Sequence, residues 1–222
     1  MEEKILTREE VIKLGLDKVQ VITADMLAGY TNIGNFAFNY CFSLISVDIP
    51  DNVTRIGGMA FYKCTSLTSI IIPNSVTNIG SGAFACCSSL ASIEIPNSVT
   101  YIGGGIFNEC NNLTSIVIYN KEYKKYEIIN GKCKAYKGFK ANMTCRDFRY
   151  EEGKTYKFEG EPILCKQGFH ACLSLSDVFT YYYGIIGKDI VVHEVKLDDI
   201  SVERHIDSKV VAKKITIGKR IL

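Results

Sequence analysis

The chain has 222 residues, 47% of them apolar, and a formal net charge of +2 at neutral pH. That length and apolar content can bury a real core, in one large or two small domains. No stretch approaches the roughly 20 apolar residues of a membrane span, and the first thirty residues lack the basic start and apolar run of a secretion signal. The sequence therefore predicts no membrane contact and a cytoplasmic location, in a bacterium or in a phage-infected host cell.

The first predicted element is a short amphipathic helix. Thr7 and Glu10 have the spacing of a capping box, in which each residue satisfies a backbone donor of the other. Gly15 stands where such a helix would end. Residues 1–32 are therefore predicted as a capping helix and an irregular coil that cover the first open edge of a repeat array. Docking of a partner onto this helix is the functional alternative.

Residues 33–118 repeat one 23-residue unit almost four times. Its apolar positions form columns of Ile, Phe, Cys and Leu, which are Ile33, Ile56, Ile79 and Ile102; Phe38, Phe61, Phe84 and Phe107; Cys41, Cys64, Cys87 and Cys110; and Leu44, Leu67, Leu90 and Leu113. A period this short predicts coils stacked on one another, because no single coil can bury its own apolar face.

Each copy also contains a strand-like run in which buried and outward positions alternate. The predicted buried pairs are Val47/Ile49, Ile70/Ile72, Ile93/Ile95 and Ile116/Ile118. The outward positions, which are the predicted binding residues, are Ser46, Asp48, Ser69, Ile71, Ser92, Glu94, Ser115 and Val117. This face has hydroxyl, acidic and apolar groups but no positive charge, so it favours a protein or peptide over a phosphate-bearing ligand. A plain solvated sheet without a ligand is the alternative.

The repeated phrase I-G-x-x-A-F-x-x-C-x-x-L-x-x-I-x-I-P-x-x-V-T resembles the BspA-like leucine-rich repeat family. The resemblance implies a short right-handed solenoid whose parallel strands line a binding face. The fourth copy departs from the pattern, with Ile106 in place of Ala and Tyr119 in place of Pro. We therefore expect the solenoid to occupy residues 33–119.

The nine cysteines allow three interpretations: packing, disulfides or metal binding. Four of them occupy one repeat column, where a small buried apolar side chain is needed and free Cys suits that role. The odd number of cysteines and the absence of a C-x-x-C pattern argue against disulfides and against a standard zinc site. A zinc alternative uses the set Cys145, Cys165, His170 and Cys172. No metal and no cofactor are predicted.

The second half of the chain has a different composition. Residues 1–119 carry 6 Lys/Arg and 10 Asp/Glu, a balance of −4, whereas residues 120–222 carry 20 and 14, a balance of +6. This asymmetry predicts a domain boundary near Asn120. The predicted elements beyond it are a hairpin of strands 124–129 and 132–137 around Asn130-Gly131, strands at 144–150, 154–158, 190–197 and 209–217, and a helix at 176–183. Together they predict a small α+β domain over 120–222.

Four segments of this half are AYKGF (135–139), MTCRDFRYEEGKTY (143–156), CKQGFHACLSLSDVFTYY (165–182) and DSKVVAKKITI (207–217). They are similar to an uncharacterised domain of phage and prophage proteins, where it is attached to BspA-like or pentapeptide repeats. The resemblance implies an origin in a mobile element and no particular activity.

Two alternatives assign a chemical role to the second half. The order of Lys137, Gly168-Phe169-His170 and a later strand is faintly similar to ADP-ribosyltransferases, which makes Lys137 and His170 the candidate catalytic residues. The last strand lacks the Glu that those enzymes use, so the developing oxocarbenium charge would have no partner. The stretch 121–140 holds seven Lys among four nearby Tyr, a composition that can hold a nucleic-acid backbone. The charge near neutrality does not favour nucleic acid, and the sequence as a whole predicts a non-catalytic protein-binding module.

Overall fold

The structure, a computed structural model, describes residues 3–118, 121–124, 132–140, 143–145, 148–157, 169–172, 178–179, 184–185, 190–201 and 209–220. The chain forms two compact units, Met1–Tyr123 and Lys124–Leu222. We refer to them as the solenoid unit and the C-terminal unit.

The solenoid unit begins with strand β1 (Ile5–Leu6), helix α1 (Arg8–Lys13) and two 3-10 turns at Leu16–Lys18 and Ala24–Leu27. Its further strands are β2 (Val21–Ile22), β3 (Asn32–Ile33), β4 (Ser46–Asp48), β5 (Arg55–Ile56), β6 (Ser69–Ile71), β7 (Asn78–Ile79), β8 (Ser92–Ile95), β9 (Tyr101–Ile102), β10 (Ser115–Ile118) and β11 (Lys121–Lys124), which crosses the boundary. The C-terminal unit has β12 (Lys132–Lys140), β13 (Thr144–Cys145), β14 (Phe148–Arg149), β15 (Thr155–Lys157), β16 (Phe169–Cys172), β17 (Gly184–Ile185), β18 (Ile190–Ser201) and β19 (Lys209–Arg220).

Helix α1 carries the predicted capping box. The Thr7 hydroxyl accepts from the Glu10 backbone N–H at 3.3 Å, and the Glu10 carboxylate accepts from the Thr7 N–H at 2.9 Å. The chain leaves the helix through Gly15, which has a φ of 70°, a left-handed conformation that suits glycine. The Arg8 guanidinium donates to the Ala37 carbonyl at 3.4 Å, so the helix is attached to the first coil.

The solenoid unit confirms the prediction of stacked coils joined by parallel strands. Strands β1, β3, β5, β7 and β9 form one parallel row, and β2, β4 and β6 form a second. Strands β8 and β10 pair in parallel with Ser92 opposite Ser115. Within the repeats the register is that of the 23-residue period, so each residue lies beside its own counterpart in the next coil.

Backbone hydrogen bonds also join the coils outside the strands. The Phe38 N–H donates to Ala60 at 2.7 Å, and the Phe61 N–H donates to Ala83 at 2.8 Å. The leading glycines permit this close approach: a Cβ atom at position 80 would lie 2.4 Å from the backbone nitrogen of Gly58. Each coil is therefore held to the next by a ladder that continues through its turns.

The core of the solenoid unit is built from the predicted columns. The four Phe rings stack nearly parallel, with centroids 5.3, 5.6 and 6.0 Å apart from Phe38 through Phe61 and Phe84 to Phe107. The predicted strand pairs are buried as well, which confirms the face assignment. Among the described residues, no helix is long and apolar enough to cross a membrane.

The C-terminal unit contains an antiparallel sheet with the order β15-β19-β16-β12-β18. Strand β18 also pairs with β19, so β12, β18, β19 and β16 close into a ring. The ring is accompanied by an apolar core of Phe139, Tyr150, Ala171, Val191, Val195, Leu197, Ile215 and Ile217.

Several element predictions for this unit need correction. The single strand predicted at 144–150 is wrong, because Thr144 pairs with Arg149 and Cys145 with Phe148, which requires the chain to reverse between β13 and β14. Strands β18 and β19 extend beyond their predicted ends because their pairing continues as far as Ser201 and Arg220. Strand β12 runs to Lys140 for the same reason, paired along its length with β18.

Two predicted elements lie mainly outside the described residues. The turn at Asn130-Gly131 and most of the strand at 124–129 are not among them, so the hairpin stays a prediction. Of the helix predicted at 176–183, the structure describes Val178 and Phe179, which are helical and buried.

Candidate functional site

The strand face of the solenoid unit is the surface for which the sequence predicted binding residues. Ile71 is 63% exposed, whereas its neighbours Ile70 and Ile72 are each 8% exposed, so the alternation of the strand is nearly complete. Asp48 lies opposite Ile71 in the β4–β6 pairing, and Glu94 lies opposite the half-buried Val117 in the β8–β10 pairing. An outward aliphatic side chain thus stands beside an exposed carboxylate on each pair of strands.

The serines of the prediction form a second pair of neighbours. Ser46 lies opposite Ser69, and Ser92 lies opposite Ser115. Small hydroxyls leave the adjacent acidic and apolar side chains standing above the surface. The structure therefore brings the eight predicted residues together as four on β4 and β6 and four on β8 and β10.

The Cys column lies inside the solenoid. The thiols of Cys64, Cys87 and Cys110 are buried and donate to the carbonyls of Phe38, Phe61 and Phe84 in the preceding coils, at 3.0, 3.2 and 3.0 Å. Burial is the main cause that raises the pKa of the Cys87 thiol, which keeps it neutral. These thiols act as packing groups that also satisfy a backbone acceptor.

Cys41 differs because no coil of the array precedes it. The Arg8 guanidinium of α1 lies 3.2 Å from its sulfur. When Cys41 ionises, the single S–H of Cys64 can donate to its sulfur instead of to the Phe38 carbonyl. This hydrogen bond, followed by the hydrogen bond and charge of Arg8, lowers the pKa of the Cys41 thiol to about 7, against the opposing effect of burial. The first thiol of the column is therefore the one that approaches ionisation at neutral pH.

The zinc alternative concerns residues whose side chains lie outside the described part of the chain. Cys145, His170 and Cys172 belong to described strands, but only their backbones are described, and Cys165 is not described at all. Among the side chains that are described, no group of three or more His, Cys, Asp or Glu is arranged to hold a metal ion.

The C-terminal unit buries a lysine and a histidine on paired strands. Lys137 on β12 is 5% exposed and lies opposite His193 on β18, which is 3% exposed. The Lys137 ammonium is 5.6 Å from the ring centroids of both Phe139 and Tyr150. This candidate catalytic residue therefore lies against aromatic rings. His170, the other candidate, has its backbone on β16 and no described side chain.

The sequence did not predict His193 as a site residue. Its Nδ1 lies 2.9 Å from the Gly218 carbonyl and 3.7 Å from the Glu152 carboxylate. The β18–β19 register shifts between His193 and Val195, a bulge that takes Gly218 out of the regular ladder. The sequence signal for this burial is the run of apolar residues directly before the histidine, Val191-Val192-His193, in a predicted strand.

The burial of Lys137 also bears on the nucleic-acid alternative. Of the seven lysines in 121–140, only Lys137 has a described side chain, and it lies inside the unit rather than on its surface. It is therefore not available to a phosphate backbone as the unit stands.

A stack of 23-residue coils with parallel strands and a column of leucines defines the class of leucine-rich-repeat solenoids. Residues 31–144, a little over half of the chain, match the family described as the BspA type leucine rich repeat region. The chain belongs to this family. Residues 133–222 match a domain of unknown function, DUF7666, which overlaps the end of the repeat region.

Solved structures with similar repeats come from several bacteria. The chain is 42% identical to a leucine rich cell surface protein from Faecalibacterium prausnitzii A2-165, covering 40% of this chain and 24% of that one, with a TM-score of 0.36. It is 36% identical to a leucine-rich repeat protein from Bacteroides ovatus, covering 47% and 27%, with a TM-score of 0.43. It is 32% identical to the T. pallidum leucine rich repeat protein, covering 39% and 51%, with a TM-score of 0.34.

The chain spans from about a quarter to half of the length of these three proteins. No functionally curated protein matches the chain at a significant level. Leucine-rich repeat domains generally mediate protein interactions, and that is the functional statement that the family supports.

Proposed function

We propose that the solenoid unit binds a protein or peptide through its strand face, formed by Ser46, Asp48, Ser69, Ile71, Ser92, Glu94, Ser115 and Val117. The observation that carries the proposal is the exposure of Ile71, a large aliphatic side chain at 63%, directly beside the buried Ile70 on the same strand. An exposed apolar residue beside polar ones is the usual composition of an interface centre and its rim.

The charges of the face restrict the partner. Asp48 and Glu94 are exposed carboxylates, and no Lys or Arg stands among the eight residues. The complementary partner surface presents an apolar side chain flanked by basic or hydrogen-bond-donating groups. Phosphate-bearing ligands would meet like charge here.

The size of the face sets a further condition. Adjacent strands lie about 4.8 Å apart, so four strands span roughly 14 Å between the outermost side chains. A standard interface buries about 800 Å² on each partner, which is more than this face provides. The bound segment is therefore a peptide, or the partner also contacts the turns that flank the strands.

The test replaces the apolar side chains of the face by charged ones. In an Ile71→Lys and Val117→Lys variant, folding should be kept because neither residue belongs to the buried pairs, and captured partners should be lost. A matched control, Ser43→Lys and Asn111→Lys, adds the same charge at exposed turn positions outside the strands. Affinity capture with quantitative mass spectrometry compares the partners bound by the strand-face variant and by the control. Thermal unfolding of both proteins checks that they are folded. A captured set that is the same for both variants would refute the proposal.

The non-catalytic role of the C-terminal unit, its α+β class, the bacterial or phage origin and the cytoplasmic location stay predictions. For the enzymatic alternative, an NAD-consumption assay on the whole chain is the direct measurement.

A further inference from the structure

The solenoid unit has a second surface, an open groove of about 430 Å³ beside the row of strands β3, β5, β7 and β9. Its lining residues include Asn35, Phe36, Arg55, Met59, Asn78 and Tyr101. None of the eight residues of the strand face takes part in it. The groove is therefore independent of the strand face.

At the groove, neighbouring coils carry different residues at two repeat positions. Asn35 and Ser81 flank Gly58 at the equivalent position of the coil between them, and all three residues line the groove. Phe36 and Met59 stand at a position with φ of 59° and 53°, where the next coils have Gly82 and Gly105. Two large apolar residues thus occupy a backbone conformation that glycine adopts without strain.

These two side chains form an apolar wall that is open to solvent. Phe36 is 46% exposed and Met59 is 39% exposed. An exposed apolar surface of this kind can pack against an apolar group of a ligand.

The lining of the groove also includes residues with hydrogen-bond donors. Arg55 is exposed on β5, between Asn32 and Asn78 in the strand register, and makes no ion pair with any residue in the described part of the chain. The Asn35 side-chain carbonyl accepts from the Gly58 N–H at 2.7 Å, so the free end of this amide is a donor, its NH₂ group. Among the residues that the structure describes, no Asp or Glu lines the groove.

A guanidinium beside amide donors is suited to a carboxylate, which it can bind through two parallel hydrogen bonds. Arg55 and Lys63 are the two basic residues between positions 19 and 119, and the Lys63 ammonium lies over the rings of Tyr40 and Tyr62 at 5.3 and 5.4 Å. Arg55 is therefore the cation that this part of the solenoid offers to an anionic ligand.

We propose that this groove binds an extended peptide segment that carries a side-chain carboxylate next to an apolar side chain. The carboxylate pairs with Arg55, and the apolar side chain packs on Phe36 and Met59.

The test is a titration of the full chain, followed by amide chemical shifts, with acetyl-Leu-Asp-amide and its neutral counterpart acetyl-Leu-Asn-amide. We expect the acidic peptide to shift the amides of Gly58, Gly80 and Ser81 and the neutral one to bind about tenfold more weakly or less. Arg55→Gln should weaken the acidic peptide by about the same factor. Lys63→Gln removes the same charge outside the groove and should leave the titration unchanged.

A further variant tests the apolar wall without disturbing the fold. Met59→Gly places the residue of the next coil at this position, so the left-handed backbone is kept and the wall is shortened. It should weaken the acidic peptide severalfold. Equal binding of both peptides, no binding of either, an Arg55→Gln variant that binds normally, or binding of acetyl-Leu-Leu through its free carboxylate alone would each overturn the proposal.

Discussion

The two units solve the problem of burying a core in different ways. In the solenoid unit the coils meet through equivalent residues, as where Phe61 stacks on Phe38 and Phe84. In the C-terminal unit the partners are unrelated in sequence, as where Lys137 lies opposite His193 or Tyr156 opposite Ile215. The first arrangement repeats one interaction, whereas the second depends on many that occur once.

The difference determines where each unit is vulnerable. A repeated interface distributes its stability over the array, so an interior coil with two neighbours should matter more than a terminal one. A ring closed by non-local pairing has no equivalent coils, and a single bulge or buried polar group can decide its register.

The largest expected effect tests the repeated interface. Phe84→Ala removes a ring that stacks on Phe61 and on Phe107, so it should lower the free energy of unfolding by about 3 to 5 kcal/mol. Phe107→Ala removes a ring with one stacked neighbour among the four and should cost less. Urea unfolding followed by circular dichroism measures both. Equal losses would contradict the stacked arrangement.

The same difference explains how much of the fold the sequence predicted. In the solenoid unit, residues 23 positions apart in the sequence are neighbours in space. The columns, the buried pairs and the parallel strands could therefore all be predicted from the repeat. In the C-terminal unit β12 pairs with β18, and the sequences of these two strands contain no pattern that predicts their pairing. Propensity indicated strands there, but propensity alone could not show where the chain reverses between β13 and β14, and the ring closure depends on pairings far apart in sequence.

The candidate sites also differ in how far the sequence could predict them. The strand face depends on the alternation of one strand, so its residues could be named in advance. The groove depends on how Asn35, Gly58 and Ser81 differ between coils, and a repeat pattern draws attention to the positions that the copies share. His193 was missed because its role comes from a bulge that only the pairing with β19 creates.

The next expected effect concerns the first coil, where the repeat is broken. The pKa of the Cys41 thiol is about 7 in the folded chain, below the ordinary value of 9.0, so the folded state binds fewer protons than the unfolded state between these values. Stability should therefore rise by roughly 2 kcal/mol from about pH 7 to about pH 9 and be lost as the pH falls through the folded pKa. Cys64, whose pKa is raised, stays protonated over this range.

Arg8→Met should reduce this rise, because it removes a hydrogen bond and a positive charge from the Cys41 sulfur, while the larger contribution of the Cys64 hydrogen bond stays. Lys13→Met, at an exposed position in the last turn of α1, removes the same charge and serves as the control. Urea unfolding of both variants in a reducing buffer at about pH 6.5, 7.5 and 8.5 gives the comparison. Identical pH slopes would show that the cap does not control the ionisation of Cys41.

The smallest expected effect compares one hydrogen bond from each unit. In the solenoid unit, the Ser98 hydroxyl donates to the Val76 carbonyl at 2.7 Å, and Ser75 makes the same bond to Val53 one coil earlier at 2.6 Å. Replacing either serine by Ala should cost about 1 kcal/mol, since a half-buried carbonyl loses its side-chain donor. The two losses should agree because the two coils present the same environment.

In the C-terminal unit, His193→Phe removes the donor to the Gly218 carbonyl while keeping an aromatic ring near Phe139, whose centroid lies 5.6 Å from that of the imidazole. The cost in free energy should also be about 1 kcal/mol, because the main interaction lost is again one hydrogen bond to a backbone carbonyl, and the Glu152 carboxylate, 3.7 Å from the imidazole, is exposed to solvent. The structural effect of His193→Phe should differ from that of the serine replacements, because the His193 hydrogen bond stabilises a bulge between two strands and the serine bonds join regular coils. Hydrogen exchange by mass spectrometry should show faster exchange in β18 and β19 than in the parent chain. Unchanged exchange there would mean that the bulge is held by the strand pairing alone, and that the contrast between the two units does not extend to single side chains.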